Sequence, residues 1–361
     1  MLSYKRNCKE VISRLTDLYT GGGRDRIFAS MVTPNPALQE YKESNIAGVV
    51  DYPDLGKRLE FWDSYLSYFS QLEDDSIPHA YFSEFDQGLY GGLMGASVSF
   101  LNDPDTGRIT SMTAPLWDDL SPSESLKLPQ PGELWYDRMI NQFDTYANAC
   151  KGSYLCSHFI CVAAMNLLFE LRGATNAFLH MINEPDDMNK VLEYSIDLNV
   201  LVQDAFFERV GLFDGGTASN MLQWAPGKVI SESVDPFHLT GPKEFEQFGR
   251  KYLERMISHY DAAVIHLHAN GYRLLPQIST IDNVCAIRLI DDPYNPRAID
   301  QIDKLLPQSG GIPLVVQLPF ERFTGLLKKN ELPGNVFYRV LGVPTVDVAN
   351  RTMEAVRDYK V

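Results

Sequence analysis

Two histidines follow a run of apolar residues in the carboxyl-terminal half of the chain. The segment Val264-Ile265-His266-Leu267-His268 runs into the turn Ala269-Asn270-Gly271, which predicts a strand that ends in a glycine turn. Side chains two apart on a strand share a face, so both imidazoles point the same way. Such a pair can hold a metal ion or act as an acid–base pair. The alternative is that one histidine hydrogen-bonds the backbone while the other packs in the core.

A carboxylate that could complete a metal site ends the preceding apolar run, at Glu232. This run lies one βα unit earlier, so its strand is expected to neighbour that of His266. Glu232, His266 and His268 could then hold zinc and leave one position open for substrate or water. Pairing of Glu232 with a cation at the rim is the alternative. Three other residues could complete the site instead: Asp235, His238 and Glu184.

Charged residues also end the next apolar run, where Arg288 is followed by Asp291 and Asp292. Arg288 could hold a substrate carboxylate, and the paired acids could supply a general base. We therefore predict His266, His268, Arg288 and Asp291 as catalytic residues. An internal ion pair across the mouth of the site is the alternative interpretation.

The elements that position these residues alternate between apolar runs and amphipathic helices, the pattern of an α/β protein with parallel strands. We predict a (β/α)₈ TIM barrel that spans residues 1–361 as a single domain with an elaborated amino-terminal part. One helix is expected from Pro242 to Tyr260, another from Pro185, and irregular structure from Leu101 to Pro131. A doubly wound sheet is disfavoured because the Gly21-Gly22-Gly23 segment lacks the spacing of a phosphate-binding loop. Five strands are expected: Lys228 to Glu232, Ala262 to Leu267, Val284 to Ile290, Ile312 to Leu318 and Val336 to Val340.

Composition excludes several classes of protein. The 361 residues are 45% hydrophobic and carry a net charge of −15, which disfavours binding to nucleic acid or to anionic membranes. No apolar run is long enough to span a bilayer. Five cysteines, an odd number, without a recognisable signal peptide indicate the reducing cytoplasm. Cys156 and Cys161 are expected to be buried packing residues.

Beyond these single features, the order of several segments within residues 150–361 resembles the uroporphyrinogen decarboxylase-like superfamily. Members are (β/α)₈ barrels, and some are methyltransferases linked to cobalamin. The segments that carry the resemblance are Leu171-Arg172-Gly173, Asn183-Glu184-Pro185, Glu232, Gly241-Pro242-Lys243-Glu244-Phe245, Ile265 to Gly271, Gly342-Val343-Pro344, and Ala349-Asn350 with Met353 and Ala355-Val356-Arg357.

The positions at which this sequence departs from the pattern of the superfamily indicate which of its branches the chain resembles. The decarboxylase branch has an arginine pair near its amino terminus, and the segment from Arg26 to Pro34 lacks it. Members of the superfamily that methylate thiols have the motif His-x-Cys at the position of His266 and His268. They have a further cysteine just before the carboxyl-terminal Gly-Pro segment. This chain has His268 and Leu341 at those positions. Imidazole and carboxylate ligands favour a metal that acts as a Lewis acid on oxygen or nitrogen.

The resemblance therefore implies a methyltransferase that removes the methyl group of a small methoxylated compound, with an aromatic ring expected. The methyl group would pass to a separate corrinoid protein, and zinc would be the metal. The sequence is compatible with a homodimer. One alternative is a metal-free carboxy-lyase in which a histidine is the general acid and Arg288 holds the substrate carboxylate. Another is a barrel that binds a ligand or docks a corrinoid protein without catalysis.

Overall fold

The computed structural model describes residues 1–117 and 126–361 and is a mixed α/β structure. A parallel sheet of six strands dominates it, in the order β1-β13-β12-β11-β10-β9. The strands of the described residues are β1 (Phe28–Met31), β2 (Gly48–Val50), β3 (His79–Tyr81), β4 (Val98–Asp103), β5 (Arg108–Thr113), β6 (Leu155–Ser157), β7 (Gly216–Ser219), β8 (Gln223–Pro226), β9 (Val229–Ser233), β10 (Ala262–His268), β11 (Val284–Ile290), β12 (Leu314–Pro319) and β13 (Val336–Leu341).

Three smaller sheets accompany the six-stranded one. β3 and β6 form a second parallel pair, β2, β4 and β5 form an antiparallel sheet, and β7 and β8 form a hairpin. Beyond β6, Ile160 makes a parallel bridge to Ser231 of β9. On the other side, the backbone N–H of Asp75 donates to the Ala29 carbonyl of β1 at 2.9 Å. The parallel pair is thus connected to both ends of the large sheet.

Helices follow most of the parallel strands and pack on one face of the large sheet. Those of the described residues are α1 (Cys8–Tyr19), α2 (Pro36–Ser44), α3 (Leu55–Ser67), α4 (Gly88–Leu93), α5 (Leu134–Ala149), α6 (Met165–Arg172), α7 (Ala174–Asn183), α8 (Pro185–Val210), α9 (Pro236–Leu239), α10 (Pro242–Phe248), α11 (Arg250–Ile257), α12 (Leu275–Ile278), α13 (Ile302–Gln308), α14 (Phe320–Lys329) and α15 (Val346–Asp358). None of them is long and apolar enough to cross a membrane.

Alternation along the strands separates two apolar cores. In β10, Ile265 and Leu267 pack in the larger core, which the helices share. Val264, one position earlier, packs in a second core together with Phe28, Val315 and residues of α1. Because side chains alternate, His266 and His268 share the face of Val264, away from the helix layer.

The predicted strands agree with the structure from Val229 to Leu341, and a long helix does begin at Pro185. Cys156 and Cys161 are buried, as predicted. The single helix predicted from Pro242 to Tyr260 is wrong, because it breaks at Gly249 into α10 and α11. A Cβ there would lie 2.6 Å from the Phe245 ring, so the chain needs glycine at this close approach.

The amino-terminal part is more regular than predicted. Residues 101–113 belong to the hairpin of β4 and β5, whereas irregular structure was expected. Its turn is held by Asp103, which accepts hydrogen bonds from the Asp105 N–H and the Thr106 hydroxyl, and by Gly107 at φ +67°. Residues 118–125, in the second half of the predicted irregular stretch, lie outside the described residues.

Candidate metal centre

The predicted histidine pair lies at the carboxyl end of β10, with both rings on one face. The centroids of the His266 and His268 rings are 4.6 Å apart, and both side chains are half-buried. Strand alternation brings them together, because Leu267 between them is buried in the opposite core. The prediction that these two imidazoles face the same way is confirmed.

Two more polar residues join the histidines from the loop after β9. Asp235 Oδ1 lies 4.0 Å from His266 Nε2 and 3.4 Å from His238 Nδ1. One ligand atom each from Asp235, His266 and His268 can be chosen within 4.8 Å of one another. The His238 ring is 5.7 Å from that of His268. Three imidazoles and one carboxylate therefore converge on a small volume.

Several polar atoms in this cluster are buried and lack a hydrogen-bond partner among the described residues: His266 Nε2, His238 Nε2 and Asp235 Oδ1. A buried polar atom without a partner costs free energy, so such atoms call for an explanation. His268 is held differently, since its Nδ1 lies 2.7 Å from Asp292 Oδ1. A carboxylate that orients a histidine through one ring nitrogen leaves the other free to bind a metal. The donor set fits a divalent ion such as zinc.

Burial keeps the His266 and His238 imidazoles neutral, the form that binds metals. Burial lowers the pKa of His266 well below its ordinary value, and His268 and Arg288 lower it further. Burial, followed by His268, lowers the pKa of His238 to about 3. Burial raises the pKa of Asp235, and His268 opposes this shift. A cation between these groups would stabilise the ionised carboxylate without competing with protons on the rings.

Glu232, the carboxylate predicted to bind metal, is not brought to the histidines, and this corrects the predicted ligand set. It pairs in register with Ile265 of the helix-side core, whereas Ser233 pairs with His266. Alternation therefore directs Glu232 away from the histidine face. Burial raises the pKa of its carboxyl well above the ordinary value, and the Ser233 N–H donates to it at 3.2 Å. The carboxylate beside the histidines is Asp235, three residues later.

The other acidic candidates also lie apart from the histidine pair. Asp291 accepts a hydrogen bond from the Ala298 N–H at 2.8 Å and so holds the loop after β11. Its neighbour Asp292 is the acid that contacts His268, at 2.7 Å. Glu184 belongs to a different cluster, with His180 and Asp187.

Arg288 lies where the sequence predicts, beside the histidines. It pairs in register with His266, and its guanidinium donates to the Asn220 carbonyl. It lines a cavity of about 360 Å³ together with two arginines that the sequence reasoning missed, Arg108 and Arg339. A charged residue inside the apolar run Val336 to Leu341 was the available signal for Arg339.

A second cavity, of about 540 Å³, opens at the histidine cluster and is lined by Asp235, His238, His268 and Asp86. Asp86 was also missed by the sequence reasoning. Burial raises the pKa of its carboxyl to about 6, whereas Arg108 lowers it and Asp235 raises it. Asp86 thus lies within electrostatic range of both Asp235 and Arg108. No protein-family model matches the chain, and neither does any curated protein.

Proposed function

We propose that this protein is a metal-dependent methyltransferase that cleaves the methyl ether of a small methoxylated compound and passes the methyl group to a separate corrinoid protein. The observation that carries the proposal is the cluster of Asp235, His266 and His268, whose ligand atoms lie within 4.8 Å of one another. Zinc is the proposed ion, held by these residues with His238 beside them. The motif order that resembles the uroporphyrinogen decarboxylase-like superfamily supports the assignment.

The proposal includes a closed (β/α)₈ barrel built from the parallel strands. Six of them form one ladder, and β3 and β6 add two more to make eight. The Ile160–Ser231 bridge supports closure on one side. Closure on the other side is supported by Met31 and Ala29, whose backbone N–H groups donate to Asp74 and Asp75 beside β3 at 2.7 and 2.9 Å. In such a barrel the histidines lie at the carboxyl end of the strands, where active sites form.

In the proposed reaction, different residues hold the metal ion, orient its ligands and donate a proton. A bound divalent ion would supply Lewis acidity to the ether oxygen. His268 is oriented by Asp292, and Asp86 lines the same cavity. Methyl transfer would break the carbon–oxygen bond, whose electron pair would leave with the alkoxide, and the separate corrinoid protein would supply the electron pair for the new bond to the methyl group. Asp86 can donate a proton to the leaving alkoxide while it is protonated, and burial, which raises its pKa to about 6, favours that form.

A second candidate function is a metal-free carboxy-lyase. The specific observation in its favour is that Arg108, Arg288 and Arg339 line one cavity, which suits a substrate with several carboxylates. In this alternative a histidine near the cavity is the general acid, and the arginines hold the substrate.

Metal analysis of untagged protein separates the two functions. We expect near-stoichiometric zinc in the wild type and its loss in Asp235→Asn and His266→Ala. Glu232→Gln is the matched control, because this buried acid lies on the opposite face of β9 and should leave the zinc in place. The methyl-transfer assay follows the demethylated phenol by mass spectrometry, with reduced cobalamin as acceptor. Zinc retained in Asp235→Asn, or methyl transfer unchanged in metal-depleted protein, would refute the proposed mechanism.

A further inference from the structure

We propose that Arg108, Arg288 and Arg339 form an anion-binding subsite that holds the carboxylate group of a small organic acid. This inference goes beyond the proposed function and does not depend on it, because it concerns ligand binding in the arginine cavity alone.

The three arginines come from three separate strands, β5, β11 and β13, and converge on one cavity of about 360 Å³. The Arg108 guanidinium carbon lies 5.3 Å from the centre of the Tyr81 ring, which fixes one wall. Arg288 is the register neighbour of His266 on the adjacent strand.

None of the three guanidinium groups has a carboxylate within ion-pair distance among the described residues. Two acids in the same cavity already have cations of their own: Asp74 lies 2.7 Å from Lys5, and Asp105 lies 2.5 Å from Lys42. Arginines without a paired carboxylate are unusual in a chain with a net charge of −15, where acids are abundant.

Like charges held together raise the free energy of the unliganded site. Burial, followed by the charge of Arg108, lowers the pKa of Arg339. A bound anion would offset both the repulsion and the loss of hydration. Guanidinium groups suit this role because their planar N–H donors match the two oxygens of a carboxylate.

The remaining walls favour an organic acid over inorganic phosphate. The same cavity has an apolar, largely aromatic side, which is formed by Met31, Leu38, Trp62, Tyr65 and Phe69. A flat apolar body can pack there while its carboxylate meets the arginines. We therefore assign the ligand class as a small carboxylic acid with an apolar ring.

Calorimetric titration tests the subsite without turnover. The probes are 4-methoxybenzoate, benzoate, 4-methoxybenzamide and inorganic phosphate. We expect the two carboxylates to bind at least about tenfold more tightly than the neutral amide. Arg339→Gln and Arg108→Gln should each weaken binding of the carboxylates by a similar factor. Arg322→Gln is the control, because Arg322 is an exposed residue that pairs with Asp300.

Each outcome decides one part of the proposal. Equal affinity for acid and amide, or unchanged benzoate affinity in both cavity variants, would overturn the subsite. Tighter binding of phosphate than of either carboxylate would overturn the assigned ligand class. Arg339→Lys keeps the charge and removes the planar donors, so it serves as the second variant if Arg339→Gln does not fold. Benzoate binding that persists in Asp235→Asn would support the subsite even where metal binding and methyl transfer have failed.

Discussion

The carboxyl group of Asp86 is expected to make folding less favourable as the pH rises. Burial raises its pKa from 3.8 to about 6. The folded chain therefore holds this proton more tightly than the unfolded chain does. Stability is consequently lost as the carboxyl ionises across this pH range. Each pKa unit corresponds to about 1.4 kcal/mol, so complete ionisation destabilises the folded state by up to about 3 kcal/mol.

Asp86→Asn keeps the shape of the side chain and removes its charge. The gain in the free energy of unfolding over the wild type should be about 0.5 kcal/mol at pH 4 and about 3 kcal/mol at pH 8. Urea unfolding followed by tryptophan fluorescence measures this difference. The protein should be treated with a chelator first, because a cation beside Asp235 would itself favour the ionised form of Asp86.

Asp51→Asn is the control, since Asp51 is an exposed acid in the loop before α3. It should show little difference from the wild type at either pH. If Asp86→Asn is instead less stable than the wild type at pH 8, then Arg108 holds the carboxylate ionised. The argument from burial, and with it the proposed proton donor, would then be wrong.

Two further predictions concern the support of the metal centre. A Cβ at residue 271 would lie 2.1 Å from His238 Cδ2, so Gly271→Ala should displace that ring, weaken zinc binding about tenfold or more, and cost about 1 to 3 kcal/mol in the free energy of unfolding. Gly325→Ala, where nothing lies within 4 Å, should leave zinc affinity unchanged in the same competition titration. Asp292→Asn removes the carboxylate that orients His268 and should weaken zinc binding about 10- to 100-fold, and unaltered affinity would argue against His268 as a ligand.

Sequence patterns gave more of the fold in the carboxyl-terminal half than in the amino-terminal half. Strands such as β10 and β11 are continuous apolar runs because both of their faces are largely buried, and such runs are visible in the sequence. The break at Gly249 was not visible, because the rings of Phe245 and of Phe237 from α9 approach the backbone there only in the folded chain. The hairpin of β4 and β5 was missed because polar residues interrupt both strands, so neither is a continuous apolar run.

Only the part of the candidate site that lies on a single strand could be predicted, because side chains alternate between the two faces of a strand. His266 and His268 share a face through their spacing alone, and the structure agrees. The carboxylate depended on the register between β9 and β10, which sets Ser233 rather than Glu232 beside His266. A shift of one residue reverses the face of every side chain, and the adjacent apolar residues Val229 and Ile230 do not reveal which face of β9 meets the histidines. Asp235 lies in the loop after β9, where side chains no longer alternate between two faces, so its carboxylate can turn towards the histidines.

The arginine cavity shows that net charge is a poor guide to the local charge of a site in this protein. An overall charge of −15 and the absence of an arginine pair in residues 26–34 disfavour a carboxylated ligand when the sequence alone is considered. The three arginines of the cavity are distant in sequence, and only the pairing of the strands brings them together. A ligand responds to the nearest charges, because exposed charges beyond about 10 Å are largely screened at physiological ionic strength. An acidic protein can therefore hold a cationic site, and the carboxy-lyase alternative is stronger than composition suggests.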